Sequence, residues 1–249
     1  MAAGEQLDLD RLAAAFSRRT RAIIVCTPNN PTGRVLSRTE LEAIAGLCRR
    51  HDAYAVTDEI YEHICYEGTH VPIATLDGMR ERTITISGAS KTYSVTGWRI
   101  GTIVAPAPVS NAIRKVHDFL TVGAPAPLQE ALAVGLETLG LDYYAGLARD
   151  YRARRDLLHG ALVGAGFTCR PPEGAYYILT DFSALSDLPD DEFARWLTCE
   201  AGVASVPGSS FYSRPELGRT QVRFAFCKTQ DQLRDAGERL RALKSVPRA

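Results

Sequence analysis

No surplus of either charge marks this 249-residue chain: 29 Lys and Arg are matched by 29 Asp and Glu, for a formal net charge of zero. Nucleic acid and anionic membranes are normally met by a basic excess gathered on one face, so the balance gives no reason to expect either partner. Paired cysteines are also missing. Cys26, Cys48, Cys65, Cys169, Cys199 and Cys227 are scattered, with no Cys-x-x-Cys and no histidine at metal-ligand spacing. They read as small buried apolar groups in a reducing compartment, not as a disulfide framework or zinc site, and no metal is expected. No run approaches the roughly 18 apolar residues of a membrane span, and the opening MAAGEQLDLDRLAAAF has no basic region leading into an apolar stretch. A cytoplasmic protein is the expectation. Internal repeats and low-complexity tracts are absent too. What remains is ordinary globular composition, 45% hydrophobic and 23% charged, enough for one large or two small domains.

Helix and strand signals alternate along the chain. Leu9, Leu12, Ala13 and Phe16 form an apolar stripe at helical period, and Arg21 to Cys26 is a short buried-strand run that stops at Thr27-Pro28-Asn29-Asn30-Pro31-Thr32-Gly33. Ser37-x-x-Glu40 is a capping box opening a helix through Leu41, Ile44, Ala45 and Leu47. Strands are expected at 53–57, 83–86 and 101–105, and helices at 107–121, 127–139 and 141–164. Continuous apolar strands joined by helices imply a mostly parallel sheet covered on both faces, an α/β class. After Gly166 the pattern changes to strands at 176–180, 203–206 and 221–226 with helices near 190–200 and 230–244, a smaller α+β unit. The expected division is 1–145 and 146–249, joined through the long helix of about 141–164.

In such sheets ligands sit at the carboxyl ends of strands, and polar clusters fall there three times. They are Asn29 to Gly33, then Asp58-Glu59-Ile60-Tyr61, then SGASKTYSVTGWRIG at 87–101. Each alone has a structural reading as a turn, a cap or a solvated charge. Their conjunction reads as chemistry. Lys91 stands among small, hydroxyl and apolar residues, as suits an amine that forms a Schiff base, and pyridoxal 5'-phosphate is the cofactor whose aldehyde accepts one. Asp58 suits the carboxylate that keeps the ring nitrogen protonated, Asn30 and Tyr61 suit donors to the ring's phenolic oxygen, and Arg99 with Ser87 or Ser90 suits the phosphate.

TPNNPTG, DEIY and SGASKTYSVTGWRIG, in this order, resemble the fold-type I pyridoxal-phosphate enzymes, specifically class I/II aminotransferases akin to aspartate, methionine and kynurenine aminotransferases. PPEGAYYILTDF at 171–182, VPGSSFY at 206–212 and VRFAF at 222–226 resemble that family's small domain. The resemblance implies a partial large cofactor-binding domain followed by the small C-terminal domain. It implies transamination of an L-amino acid with a 2-oxo acid by a ping-pong mechanism, with Lys91 as Schiff-base lysine and proton shuttle and Asp58 and Tyr61 assisting. It also implies that Arg223 binds the substrate carboxylate in a site shared with Asn30, and that the protein is a homodimer. Tyr93, Tyr176 and Phe211 are candidates for lining the side-chain pocket.

One departure from the family stands out. The resemblance covers the C-terminal three-fifths or so of such an enzyme, without the preceding glycine- and hydroxyl-rich phosphate loop at a helix N-terminus and the aromatic that stacks on the ring. Sheet edges and apolar faces are therefore expected to need a cover. Two other readings stay open on sequence: a fold-type I lyase or decarboxylase using the same cofactor, and an inactive aminotransferase fragment serving as a binding module.

Overall fold

The computed structural model describes residues 6–243. The first helix, α1 (Leu9–Ala15), starts at Asp8, whose carboxylate accepts from the Arg11 amide. Then come β1 (Ala22–Cys26), α2 (Arg38–His51), β2 (Tyr54–Asp58), β3 (Thr83–Gly88), the short α3 (Ala89–Thr92), β4 (Gly101–Val104), α4 (Ala107–Leu120), α5 (Ala126–Thr138) and α6 (Leu141–Gly164). Beyond these follow β5 (Tyr177–Asp181), α7 (Asp190–Trp196), β6 (Val206–Pro207), β7 (Gln221–Ala225) and α8 (Gln230–Arg241). The chain divides into two compact units, one of Gln6–Pro28 with Val35–Leu147, the other of Asn29–Arg34 with the chain from Ala148 onward.

In the first unit the strands lie in the order β1-β2-β3-β4. The first three are parallel and β4 runs antiparallel to β3, with Ser87 opposite Thr102 and Gly88 opposite Gly101. The segment between β3 and β4 holds only the four-residue α3 and a 3-10 turn, so no helix crosses the sheet to return the chain in parallel. The capping box at α2 forms as the sequence implies: Ser37 Oγ accepts from the Glu40 amide and the Glu40 carboxylate from the Ser37 amide. The same carboxylate also accepts from the Leu7 amide, tying the chain before α1 to α2. Leu41, Ile44, Ala45 and Cys48 of α2 pack with Val25 and Ala55 of the sheet and with Ile73, Leu76 and Met79 of the following loop. Each large side chain buried there is worth about 1.5–3 kcal/mol, so α2 is fixed on the sheet by its apolar stripe.

The same unit leaves apolar surface in solvent. β1 and β4 each have one neighbour, so their outer edges are unpaired among the described residues. Ile24 is 80% exposed, Val104 69%, Phe119 of α4 94% and Val122 86%. Exposure on this scale is far from the scattered single residues of an ordinary surface.

The second unit is built on the antiparallel sheet β5-β7-β6. Phe182 of the segment after β5 stacks on Phe193 of α7 at 3.9 Å between ring centroids, and Phe167 meets Phe224 of β7 edge-on at 5.5 Å. These rings, with Leu158 and Leu162 of α6 and Ile178, form its buried centre. Gly33 adopts φ +67°, and a Cβ there would lie 2.3 Å from Pro172 Cβ, so only glycine lets the Asn29–Arg34 loop close on the 172–174 segment. Gly174 N donates to Gly33 O at 2.7 Å.

Three expectations change. The strand expected at 203–206 is only Val206–Pro207: the Val203 amide donates instead to Leu197 O at 3.2 Å, closing the preceding helical turn. The helix expected at 190–200 ends as α-helix at Trp196 and passes into a π-helical turn, Leu197–Ala201. The cysteines are all free thiols, but only Cys48 is buried, while Cys199 and Cys227 are exposed. Cys199 lies on the π-helical turn and Cys227 follows the end of β7, and neither position faces a core.

Candidate active site

β1, β2 and β3 end side by side. The register sets Cys26 beside Asp58 and Asp58 beside Ile86, so the carboxyl ends of three parallel strands are level. Asp58 is the last residue of β2, half-buried, with Oδ1 accepting from the Ile60 amide at 3.2 Å. Tyr61 follows in a tight turn and is 3% exposed. From Ile86 the chain runs through Ser87 into α3, where Lys91 sits half-buried in the last turn. Asp58, Tyr61, Ser87, Ser90, Lys91 and Arg99 all belong to the first unit, Asn30 and Arg223 to the second.

Ser87 and Arg99 meet in one groove of about 590 Å³, which Thr102, His117, Thr121 and Gln129 also line. That volume is within the range of small-molecule sites. Arg99 is exposed, with Nη1 donating to Thr96 O at 3.0 Å. It holds φ +56°, as does Ser94, and two left-handed non-glycine residues in one short loop mark a backbone held for a purpose. Ser90 accepts from Thr96 Oγ1 through its carbonyl at 3.1 Å. The Ser87 hydroxyl donates to Glu62 Oε1 at 2.5 Å, so its one proton is committed to a carboxylate and its lone pairs are what it offers to a ligand.

An aromatic cluster grips the segment that carries Lys91. Tyr143 OH donates to the Thr92 carbonyl at 2.8 Å, and the Tyr93 and Tyr144 hydroxyls are 2.8 Å apart. Tyr93 stacks on Tyr143, and His63 lies 4.4 Å from the Tyr144 ring. Burial, reinforced by the Tyr144 hydrogen bond, pushes the Tyr93 phenol well up, so it stays protonated. Burial pulls the His63 imidazole down, with Glu62 partly opposing. Tyr93 thus packs with its hydroxyl engaged, and Tyr176 is buried and stacked on Tyr151. The sequence did not single out Tyr143, Tyr144, Glu62 or His63. The two tyrosines read simply as part of the apolar face of α6, and Glu62 and His63, in the loop after β2, give no signal.

In the second unit Arg223 lies on β7 between Leu179 of β5 and Val206 of β6. Its guanidinium packs over Tyr177 at 4.1 Å and Phe211 at 4.8 Å. Nη1 donates to Asn30 Oδ1 at 2.7 Å. Nε is buried and has no hydrogen-bond partner among the described residues. A buried guanidinium N–H without an acceptor is costly, so this arginine is set up to receive one. Asn29, Asn30, Pro31, Thr32, Phe211 and Tyr212 line a cavity of about 230 Å³ in the same unit. Asn29 Oδ1 accepts from Thr32 Oγ1 at 2.8 Å, which stiffens the loop presenting Asn30.

Comparison with known proteins agrees with this fold. The family model of class I and II aminotransferases matches residues 2–240. The methionine aminotransferase of Escherichia coli is 40% identical over 239 residues, 96% of this chain and 61% of that protein. The kynurenine–oxoglutarate transaminase of Dictyostelium discoideum is 37% identical, again over 96% of this chain and 60% of the relative. Among solved structures, the N-succinyldiaminopimelate aminotransferase of Mycobacterium tuberculosis superposes with a TM-score of 0.91 at 40% identity, covering 97% of this chain and 63% of that one. The chain therefore spans about three-fifths of the length of the relatives it matches. With a family model over nearly all its residues, it belongs to the class I and II aminotransferases, which are pyridoxal-phosphate proteins.

Proposed function

We propose that this chain carries out, or carries the catalytic lysine for, transamination of an L-amino acid with a 2-oxo acid. The observation that carries the reading is the register: Asp58 stands beside Ile86 at the strand ends, and Lys91 follows in the last turn of α3. The Lys91 amine, the Asp58 carboxylate and the Arg99 guanidinium, the last of which lines one groove with Ser87, make a donor set that fits pyridoxal phosphate. When bound, that cofactor supplies an electron sink for the bond broken at an amino acid's Cα. Asp58 would hold the ring-nitrogen proton by charge pairing, Asn30 and Tyr61 would donate to the phenolic oxygen, and Arg99 with Ser90 would take the phosphate, joined by Ser87 once its hydroxyl turns away from Glu62. Lys91 offers the amine that attaches at the aldehyde carbon. With that amine free beside a bound amino acid, Lys91 would be the base that takes the Cα proton and the acid that returns it to the aldehyde-derived carbon, two atoms further on. Arg223, its Nε lacking an acceptor, would take the substrate carboxylate. A 2-oxo acid leaves before a second enters, so the kinetics are ping-pong. The two halves would be a cofactor-binding portion, 1–145, and a small domain, 146–249.

The test is the visible absorption spectrum of the chain with added pyridoxal phosphate. A new band that shifts on adding an amino acid, with 2-oxo acid and no ammonia released, is the expected result; no band at all refutes the proposal. Asp58→Asn is expected to keep cofactor uptake and lose turnover by about 100-fold, the scale of a mispositioned proton, whereas undiminished turnover would remove Asp58 from its role.

We further propose a homodimer in the reducing cytoplasm. Six free thiols support the compartment. The apolar surface of α4 and its following loop, with Phe119 94% and Val122 86% exposed, supports pairing with a second copy. Sedimentation at micromolar concentration should give twice the chain mass, and Phe119→Asp should return it to one; a wild-type monomer contradicts this.

A further inference from the structure

Two carboxylates in the loop after β2 take no part in the reading above, yet they are the best-held groups near it. Glu59 directly follows Asp58, and its amide donates to Ile86 O at 2.8 Å, extending the β2–β3 ladder by one step. Alternation along a strand then turns its side chain to the opposite face from that of Asp58. That side chain is 1% exposed, with Oε1 accepting from Thr57 Oγ1 at 2.8 Å and Oε2 2.7 Å from His70 Nε2. The His70 side chain is itself only 6% exposed. A carboxylate this deep with one threonine hydroxyl for company would be costly, so the His70 contact is needed to keep it there.

Three residues on, Glu62 accepts the Ser87 hydroxyl at the end of β3. Between these anchors the backbone is one tight turn, closed by Glu62 N to Glu59 O at 2.9 Å and Ile64 N to Tyr61 O at 2.8 Å. Tyr61 lies inside it. Glu59, Glu62 and His70 also bring their ligand atoms within 4.8 Å of one another. Each carboxylate, however, already has a protein hydrogen-bond partner, so the group works as a knot of hydrogen bonds.

We propose that the Glu59–His70 pair, which anchors the Asp58–Tyr61 turn to the loop at His70, and the Glu62–Ser87 bond, which ties that turn to the start of the Ser87–Lys91 segment, together form a tether that holds the turn in place before any cofactor arrives. Glu59 and His70 are then positioning residues for Asp58 and Tyr61. This rests on the functional reading above, and the experiment separates the two. In the cofactor-free chain, amide exchange over residues 59–66 should rise about tenfold or more in His70→Leu while α2 amides stay unchanged, and His70→Gln, which restores an N–H donor, should return it close to wild type. With pyridoxal phosphate added, His70→Leu should raise the dissociation constant about tenfold and flatten the visible circular dichroism of the bound group. Glu59→Gln should follow His70→Leu in both readouts and serves if the leucine variant does not fold. Unchanged exchange overturns the tether, and faster exchange with unaltered affinity and dichroism overturns its positioning role. Should wild type take up no cofactor, the functional reading and the positioning role fail together, and exchange decides the tether alone.

Discussion

In the Lys91→Ala variant, transamination is expected to fall by at least ~10⁴-fold, because attachment of the cofactor and proton transfer at Cα both depend on the same amine. The loss should be chemical and not a failure to fold. The backbone around Lys91 is held independently of its side chain: Tyr143 OH donates to the Thr92 carbonyl, and the Tyr93 and Tyr144 hydroxyls meet at 2.8 Å. The Ala89 amide donates to Ile100 O at 3.2 Å, tying the start of α3 to the chain before β4. Far-ultraviolet circular dichroism and thermal midpoint should therefore match wild type within a few degrees. Borohydride treatment of wild type with pyridoxal phosphate should fix the cofactor on the peptide containing Lys91, and the alanine variant should carry none. Lys91→Arg should be almost as inactive, since a guanidinium that stays charged cannot give up its proton to become a nucleophile. Fixation on another lysine, or residual turnover within 100-fold of wild type, would remove Lys91 from the chemistry.

The sequence carried this part of the molecule well because its signals are local. Alternating β-branched residues in Thr83-Ile84-Thr85-Ile86, the Ser37–Glu40 capping box and the apolar stripe through Leu41, Ile44 and Ala45 each act within a few residues, and each formed where expected. The direction of β4 was not legible in this way. An apolar run at 101–105 says that a strand exists but not which way it pairs; its antiparallel pairing with β3 follows from the lack of a crossing helix between Gly88 and Gly101. Long-range partners were hidden for the same reason. Nothing in the spacing of Glu59 and His70 announces a hydrogen bond eleven residues apart, nor does the start of α6 announce that Tyr143 and Tyr144 will grip residues fifty-one positions earlier. Cysteine burial failed because residue type gives an average tendency, while Cys199 and Cys227 sit on a turn and past a strand end. Candidate site residues stand out in the sequence where chemistry restricts the residue type, as at Lys91 and Arg99, and not where a side chain acts by holding another, as at Tyr143.

Arg223→Leu should raise KM for the amino acid by roughly 10- to 100-fold, the equivalent of losing a charge-assisted hydrogen-bonded pair worth about 1.5–3 kcal/mol, with a smaller fall in kcat. The split follows from where the group acts. A carboxylate bound at Arg223 is held in ground and transition states alike, so removing that hold weakens binding more than it slows chemistry. The geometry explains why lysine should not rescue it. The guanidinium carbon lies over the Tyr177 ring at 4.1 Å and the Phe211 ring at 4.8 Å, with Nη1 spent on Asn30, so what it offers is the remaining edge of a planar fork, including the buried Nε. An ammonium cannot stack between two rings in that way and presents no second N–H in the same plane. Arg223→Lys should therefore bind substrate only a few-fold better than Arg223→Leu, the remaining gain being its charge. Asn30→Ala provides the matching control: it leaves the guanidinium charge and stacking in place, frees Nη1, and should cost less in KM than either arginine variant. A primary amine lacking the carboxylate discriminates further, because its slow reaction should be insensitive to Arg223. Equal sensitivity of the amine and the amino acid to Arg223→Leu would show that the arginine supports the fold of its sheet and does not read the substrate.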